Sequence, residues 1–536
     1  MTRIDESAAR RMLPRWRSLT DAAQTSELVP ADVLAASELT IDNAVVHERV
    51  NAWQREQTIA FAGDLLGSAF VLGDIPEVRS AATFVLERRD APAPLRRVAS
   101  NVLTTKDAIA DVASRNDPAA GAHDGQSRQT IALLRKRLRL SPRNPIAWTH
   151  LAREYAIVGQ QHHALRAIAT AVALAKENRF VLRAAVRAYV HFGDPETAWS
   201  ILRRSLVART DPWLMAAEIG TAMVTDRTPR SVKDGRSILS AGRLAPSQTT
   251  ELASALASLE LDSGSNKQAK KLFRLAIVDP NDNTIAQVEW ATRVAKLAIV
   301  DQELFSAQQS YEALTWQRYV HSEWAGAYRS ALAWLGEEPF SSRPVQVATF
   351  VASVLLEDYA AAEVVGTLGL AANRDDQTLL NNLAFTLASA GKTSAAISIY
   401  NRMRPSLLDR ELAVAWLATG GLIQFRLGLP DAGRDYYRLA MDLAERIGAN
   451  GQQALACCYL AREEKLAHLT SAEETLNEAI KLADQTRWSI AKIVAGRLRD
   501  QRHEGNQQLQ IGVIPNTARS PSLENNSSRL RRIPVF

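Results

Sequence analysis

The side chains best placed to do chemistry are cations. Arg135, Lys136, Arg137, Arg139 and Arg143 crowd one short stretch, with Arg128 just before it. Contact with a phosphate backbone needs only positioned cations, so this basic patch is a candidate nucleic-acid surface. Aromatic side chains that would stack bases are scarce among these charges, and a solvated helix face is the competing reading. Cys457 and Cys458 are the two cysteines. Adjacent positions on a helix point about 100° apart, which makes a poor metal pair, and no CxxC accompanies them. They read as small buried residues. His162 and His163 lack a third ligand at helical spacing. The sequence contains no GxGxxG, GxxxxGK[ST], HExxH or GxSxG. No catalytic residue, no metal and no cofactor is expected, and the chain reads as a non-enzyme.

The elements that carry these residues are helices. Alanine, leucine and arginine dominate, which favours helix, and no alternating apolar runs bounded by turn residues are present. A chain of 536 residues exceeds one globular core unless the core grows repeat by repeat. Such a repeat is visible at an offset of 34. Trp148 falls on Leu182, Leu151 on Ala185, Tyr155 on Tyr189, Gly159 on Gly193, Ala164 on Ala198 and Ile168 on Leu202. Aromatics, turn glycines and small residues recur together, as in a helix–turn–helix unit copied head to tail.

Copies of the unit extend along the chain with uneven fidelity. Residues 1–40 look helical without a repeat. A weak hairpin follows, with Ala62, Leu65, Leu66 and Ala69 on one face, a turn at Leu72-Gly73-Asp74, and Ala82 and Val85 on the next face. Residues 1–113 form an N-terminal helical region, and 114–129, rich in Gly, Ser, Asn and Asp, read as a flexible linker. Residues 130–283 are a basic array, 284–376 degenerate helical repeats, 377–499 a C-terminal array, and 500–536 a disordered polar tail.

This pattern resembles the tetratricopeptide repeat over about residues 130–485, most clearly at 145–210, 250–281 and 377–403. The resemblance implies an all-α, right-handed solenoid in which the first helix of each repeat lines a concave groove that binds extended peptides or helices. The positions that would line it are Thr149 and Arg153, then Arg183 and Arg187, and in a later copy Asn381, Asn382 and Phe385. Guanidinium forks pair bidentately with carboxylates or phosphates, and asparagines can hydrogen-bond a ligand backbone.

Charge is unevenly spread. Residues 126–250 hold 20 basic and 8 acidic side chains, a net of +12, whereas 1–125 and 251–500 are net −4 and −5. Such asymmetry suits an anionic partner. The expected function is a protein-binding adaptor, a regulatory or assembly subunit that takes an acidic or extended segment in its groove. A nucleic-acid-associated regulator using the 126–250 surface is the alternative. The most apolar run, Leu412–Phe425, is shorter than a bilayer span and reads as a repeat helix, so no membrane partner is expected. With no apolar leader at the start and two cysteines, a cytoplasmic setting is expected.

Overall fold

The computed structural model describes residues 11–17, 43–72, 76–103 apart from 94, 97 and 101, 120–293, 296–299 apart from 298, and 310–511 apart from 408 and 487. Among them there is no strand. The chain divides into two compact units, Met1–Leu412 and Ala413–Phe536.

The first unit opens with α1 (Asn43–Arg55), α2 (Ile59–Leu72) and α3 (Pro76–Glu87), which gather around Trp53, Ala62, Leu65, Ala82 and Val85. Then come α4 (Ala120–Leu140) and the hairpins α5 (Pro145–Ile157) with α6 (Gln161–Leu174), α7 (Arg179–His191) with α8 (Pro195–Arg204), α9 (Pro212–Val224) with α10 (Val232–Ala241), and α11 (Pro246–Asp262) with α12 (Asn266–Ala276). After α13 (Asp282–Arg293) the pairs are α14 (Tyr311–Val320) with α15 (Trp324–Glu337), α16 (Ser342–Phe350) with α17 (Tyr359–Ala372), and α18 (Gln377–Ser389) with α19 (Thr393–Tyr400). A π-helical turn, Val351–Leu355, extends α16. The second unit holds most of α20 (Arg410–Arg426), then α21 (Pro430–Arg446), α22 (Asn450–Leu466), α23 (Ala472–Gln485) and α24 (Ser489–Ile511). The fold is an all-α solenoid of tetratricopeptide-like hairpins.

Local chemistry explains the punctuation. Asn144, Asn178, Asp211 and Asp376 each cap a first helix by accepting a backbone N–H from the first turn. Asn144 and Asn178 stand one repeat offset apart, and Pro145 and Pro212 sit just inside the helices they start. Between the two helices of a hairpin the chain must pass through left-handed φ, where glycine is strain-free. Gly159, Gly193, Gly264, Gly391 and Gly428 occupy that position. In four other hairpins Asp226, Ser322, Glu357 and His468 take it at φ between 53° and 62°. Ser322 and Glu357 lie in the stretch read as degenerate repeats.

The two helices of a hairpin have different jobs. Second helices bury one stripe, such as Ala164, Ala167, Ile168 and Ala171 on α6. The first helices α7, α9 and α11 are covered on most sides. On α7 every residue from Arg179 to Ala188 is buried, three arginines included. A helix enclosed all round, polar positions and all, must have something against its inner face.

Two boundaries differ from expectation. α4 starts at Ala120 and so runs through most of the stretch read as linker; residues 114–119 lie outside the described residues. Gly121 and Gly125 lower helix propensity, but Ser127, Ile131 and Leu138 are buried on the same helix and anchor it. α24 likewise passes residue 499 to reach Ile511, while 512–536 lie outside the described residues. Residues 1–40, read as helical, are described only over 11–17, where Pro14–Arg17 carry no helix.

Candidate functional site: an occupied interior in the first unit

What covers the inner faces of the first unit is its own residues 11–17, Arg-Met-Leu-Pro-Arg-Trp-Arg. Arg11 is helical, Met12 and Leu13 turn, and residues 14–17 carry no regular secondary structure; Pro14 has no N–H with which to continue a helix. Met12, Leu13 and Trp16 are almost fully buried, at 3%, 1% and 1% exposure.

Its apolar side chains reach the early repeats. Leu13 joins Leu182 and Val186 of α7 and Leu214 and Ala217 of α9. Trp16 joins Leu151 and Tyr155 of α5 and Ala184 and Ala188 of α7. Met12 lies on Gly220 of α9, where an added Cβ would sit 3.0 Å from the Met12 Cβ, so a larger residue there would press on the segment.

Its arginines reach the late repeats. Arg15 Nη2 pairs with Glu312 Oε2 at 2.6 Å, Nε with Asp282 Oδ2 at 3.3 Å and Nη1 with Glu338 Oε2 at 3.5 Å. Arg17 Nη2 bridges Asp282 at 2.6 Å and Glu337 at 2.8 Å. Arg11 Nε lies 3.4 Å from Glu312. Burial alone would raise the Glu312 carboxyl, but Arg343, Arg15 and Arg11 outweigh it and hold it at about 2. Glu337 has a weaker claim on its cation. Burial raises it, Arg17 pulls it back, Asp282 opposes, and the carboxyl stands at about 7.

The backbone of the segment is also held. Asn283 Nδ2 donates to the Leu13 carbonyl at 2.8 Å, and Arg153 Nε donates to the Trp16 carbonyl at 3.1 Å. Side chains of the wall thus hold the segment through two of its main-chain oxygens, while apolar clusters and carboxylates take up its side chains.

Arg153 lies on α5 and Arg183 and Arg187 on α7; all three are buried and form no open cluster. Arg183 makes a bidentate pair with Glu251, at 2.7 and 3.0 Å, and Asn281 donates to the same carboxylate. Arg187 Nη2 reaches Glu338 and Ser341 Oγ, both at 3.4 Å. Thr149 is buried and donates to the Pro145 carbonyl within its own helix. Asn381 is buried, and its Oδ1 accepts no hydrogen bond. Asn382 is half-buried and donates to the Gln346 carbonyl at 3.4 Å; Phe385 is half-buried.

Arg135, Lys136, Arg137 and Arg139 are exposed on α4, and Arg143 is exposed in the turn after it. Cys457 and Cys458 are buried on α22, and burial raises both thiols far from their ordinary range, Cys458 to about 12. His163 stacks on Tyr155, with ring centroids 5.1 Å apart. Among the described residues no group of three or more His, Cys, Asp or Glu side chains is arranged to hold a metal ion, and no helix is long and apolar enough to cross a membrane.

Sequence reasoning missed Asn283, Asp282, Glu312, Glu337, Glu338 and the segment itself. One signal was available for the neighbouring pair: Arg183 and Glu251 lie two repeat lengths apart, at equivalent inward positions of α7 and α11.

No protein-family model and no curated protein matches the sequence. Solved structures are similar to parts of it at low level. Yeast Tom70 is 12% identical over 73% of this chain and 97% of its own, with a TM-score of 0.29. A human IFIT1 dimer with PPP-AAAA is 12% identical over 86% of this chain and 100% of its own, with a TM-score of 0.29. The Cut9–Hcn1 hetero-tetramer of the APC/C is 12% identical over 79% of this chain and 99% of its own, with a TM-score of 0.23.

Proposed function

We propose that this protein is a non-enzymatic interaction scaffold whose first unit holds an extended protein segment against the inward faces of its first helices. The observation that carries the reading is the pair of main-chain clamps, Asn283 on the Leu13 carbonyl and Arg153 on the Trp16 carbonyl. A side chain donating to a carbonyl binds any extended chain, and the surrounding pockets choose among chains. The pockets favour apolar and aromatic side chains separated by arginines. The acidic ligand suggested by the basic block has little support, because Arg153, Arg183 and Arg187 already have partners within the chain. The carboxylates of Asp282, Glu312, Glu337 and Glu338 support a basic one.

The test uses a fluorescent peptide spanning residues 9–19 and the full chain carrying Leu13→Glu and Trp16→Glu, which vacate the interior. Saturable binding to that variant is expected, and weaker binding to the unaltered chain, whose own segment competes. A peptide with its arginines changed to glutamates is expected to stay free. A variant that keeps its helicity and cooperative unfolding yet ignores the first peptide sinks the reading.

A further inference from the structure

The segment does more than fill the interior. Its apolar side chains lie on α5, α7 and α9, and its arginines on the carboxylates of α13, α14 and α15 and the turn after α15. It therefore spans two parts of the first unit that are far apart in sequence. Those two parts also touch each other. Arg153 Nη2 donates to the Glu337 carbonyl at 3.0 Å. Arg187 reaches Glu338 and Ser341. His191 packs edge-on to Phe340, centroids 5.2 Å apart. Gly159, in the turn after α5, lies so close to α17 that an added Cβ would be 2.1 Å from the Ala371 carbonyl oxygen.

The residues that make this seam are the residues that grip the segment. Arg153 holds both Trp16 and Glu337. Glu338 takes both Arg15 and Arg187. Phe340 packs on Trp16, centroids 5.1 Å apart, beneath the Arg187 guanidinium. With the segment gone, Glu312 and Glu338 would each lose a buried cation and Phe340 its tryptophan. Glu312 would keep Arg343 and Glu338 would keep Arg187, but Asp282 and Glu337 would lose the segment arginines that pair with them. Carboxylates held out of water without a cation are unfavourable, and the late wall would move apart to admit water.

Resting on the scaffold reading above, we propose that residues 11–17 are a displaceable clasp. They close the seam between α5–α7 and α15–α17, and a partner segment of the same chemistry (apolar, proline, arginine, aromatic, arginine) enters by displacing them. Residues 18–42 separate the clasp from α1, so its contacts are intramolecular ones that a free segment must overcome through concentration or better fit. Occupancy and seam closure are then one equilibrium, and a ligand shifts it only by its differential affinity for the two states.

The experiment uses the full chain with a specific protease site inserted between residues 17 and 43, folded before cutting. Spin labels are placed at exposed Gln161→Cys and Asp375→Cys, on either side of the seam. Cys457 and Cys458 are buried and stay unlabelled. The uncut chain is expected to give one narrow interlabel distance. After cutting, and a chase with unlabelled 9–19 peptide followed by dilution, the distribution is expected to broaden and lengthen. Adding the peptide back restores the narrow distance. If the released segment leaves, the peptide rebinds and the distance never changes, the clasp is overturned while the scaffold reading stands. If the cut segment resists the chase, displacement is overturned. If the emptied, folded chain does not rebind the peptide, the scaffold reading falls as well.

Discussion

Arg153 donates from Nε to the Trp16 carbonyl and from Nη2 to the Glu337 carbonyl, joining residues 137 and 184 positions away in the sequence. One inward-facing guanidinium on α5 thus ties the 11–17 segment and the end of α15 to the first clear repeat. Lysine would do this less well, because its N–H groups all leave one nitrogen, whereas the guanidinium fork presents donors from two.

Arg153→Met should remove both bonds and keep most of the packing. Two buried carbonyls lose their donor, each worth about 1–3 kcal/mol. Affinity for the 9–19 peptide should drop at least about tenfold, since about 1.4 kcal/mol is a factor of ten. Arg153→Lys should recover only part of it. Full recovery by lysine, measured by titration of the labelled peptide against chains carrying Leu13→Glu and Trp16→Glu, would show that charge rather than the fork holds the segment.

Trp16→Ala should destabilise the first unit by about 3–5 kcal/mol, the usual cost of emptying a buried tryptophan site. Trp16 is 1% exposed and lies on Phe340, with Tyr155 in the same cluster. Denaturant unfolding followed by circular dichroism gives the number. A loss below about 1 kcal/mol would mean that the site collapses or that the segment already exchanges freely.

The architecture was legible because it is local. Caps at Asn144 and Asn178, turn glycines at Gly159 and Gly193, and the alanines at Ala164 and Ala198 all repeat at one offset, and each reports on neighbours a few residues away. Register was lost where Asp226, Ser322 and Glu357 replace the turn glycine, since a residue in left-handed φ leaves no mark in composition. That Arg153, Arg183 and Arg187 sit on the first helices of their repeats was also legible. Their engagement was not. Glu338 lies 151 residues beyond Arg187, and a single sequence carries no pairing information at that distance. The segment was opaque for the same reason: Arg15 finds Glu312 only after the intervening repeats have turned.

Two carboxylates set opposite pH limbs. Glu337 stands at about 7, above its ordinary value, so folding takes up a proton there. Its contribution is complete below the ordinary glutamate range and is lost as pH rises through 7. Glu312 stands at about 2, below its ordinary value. Its contribution is complete above the ordinary range and is lost as pH falls toward 2. Stability should therefore fall between pH 5 and 7.5 by up to about 1.4 kcal/mol per pH unit. Glu337→Gln should flatten that limb and leave the acid limb in place. An unchanged slope in that variant, read from urea midpoints across the range, would assign the limb to other groups.

Gly159 and Gly193 separate two costs that are usually confounded. Both are hairpin turns at left-handed φ, 68° and 79°. Around Gly193 an added Cβ meets nothing within 4 Å, so Gly193→Ala should cost only the conformational penalty, about 1–2 kcal/mol. At Gly159 the same methyl would stand 2.1 Å from the Ala371 carbonyl oxygen, a backbone atom that cannot rotate away. Gly159→Ala should therefore add a clash that only separation of the α5 turn from α17 relieves. Its signature is not merely lower stability. The interlabel distance between positions 161 and 375 should lengthen, and the 9–19 peptide should exchange faster, whereas Gly193→Ala leaves both unchanged. Equal behaviour of the two variants in the distance measurement would mean that the seam does not depend on this approach, and that the clasp acts without it.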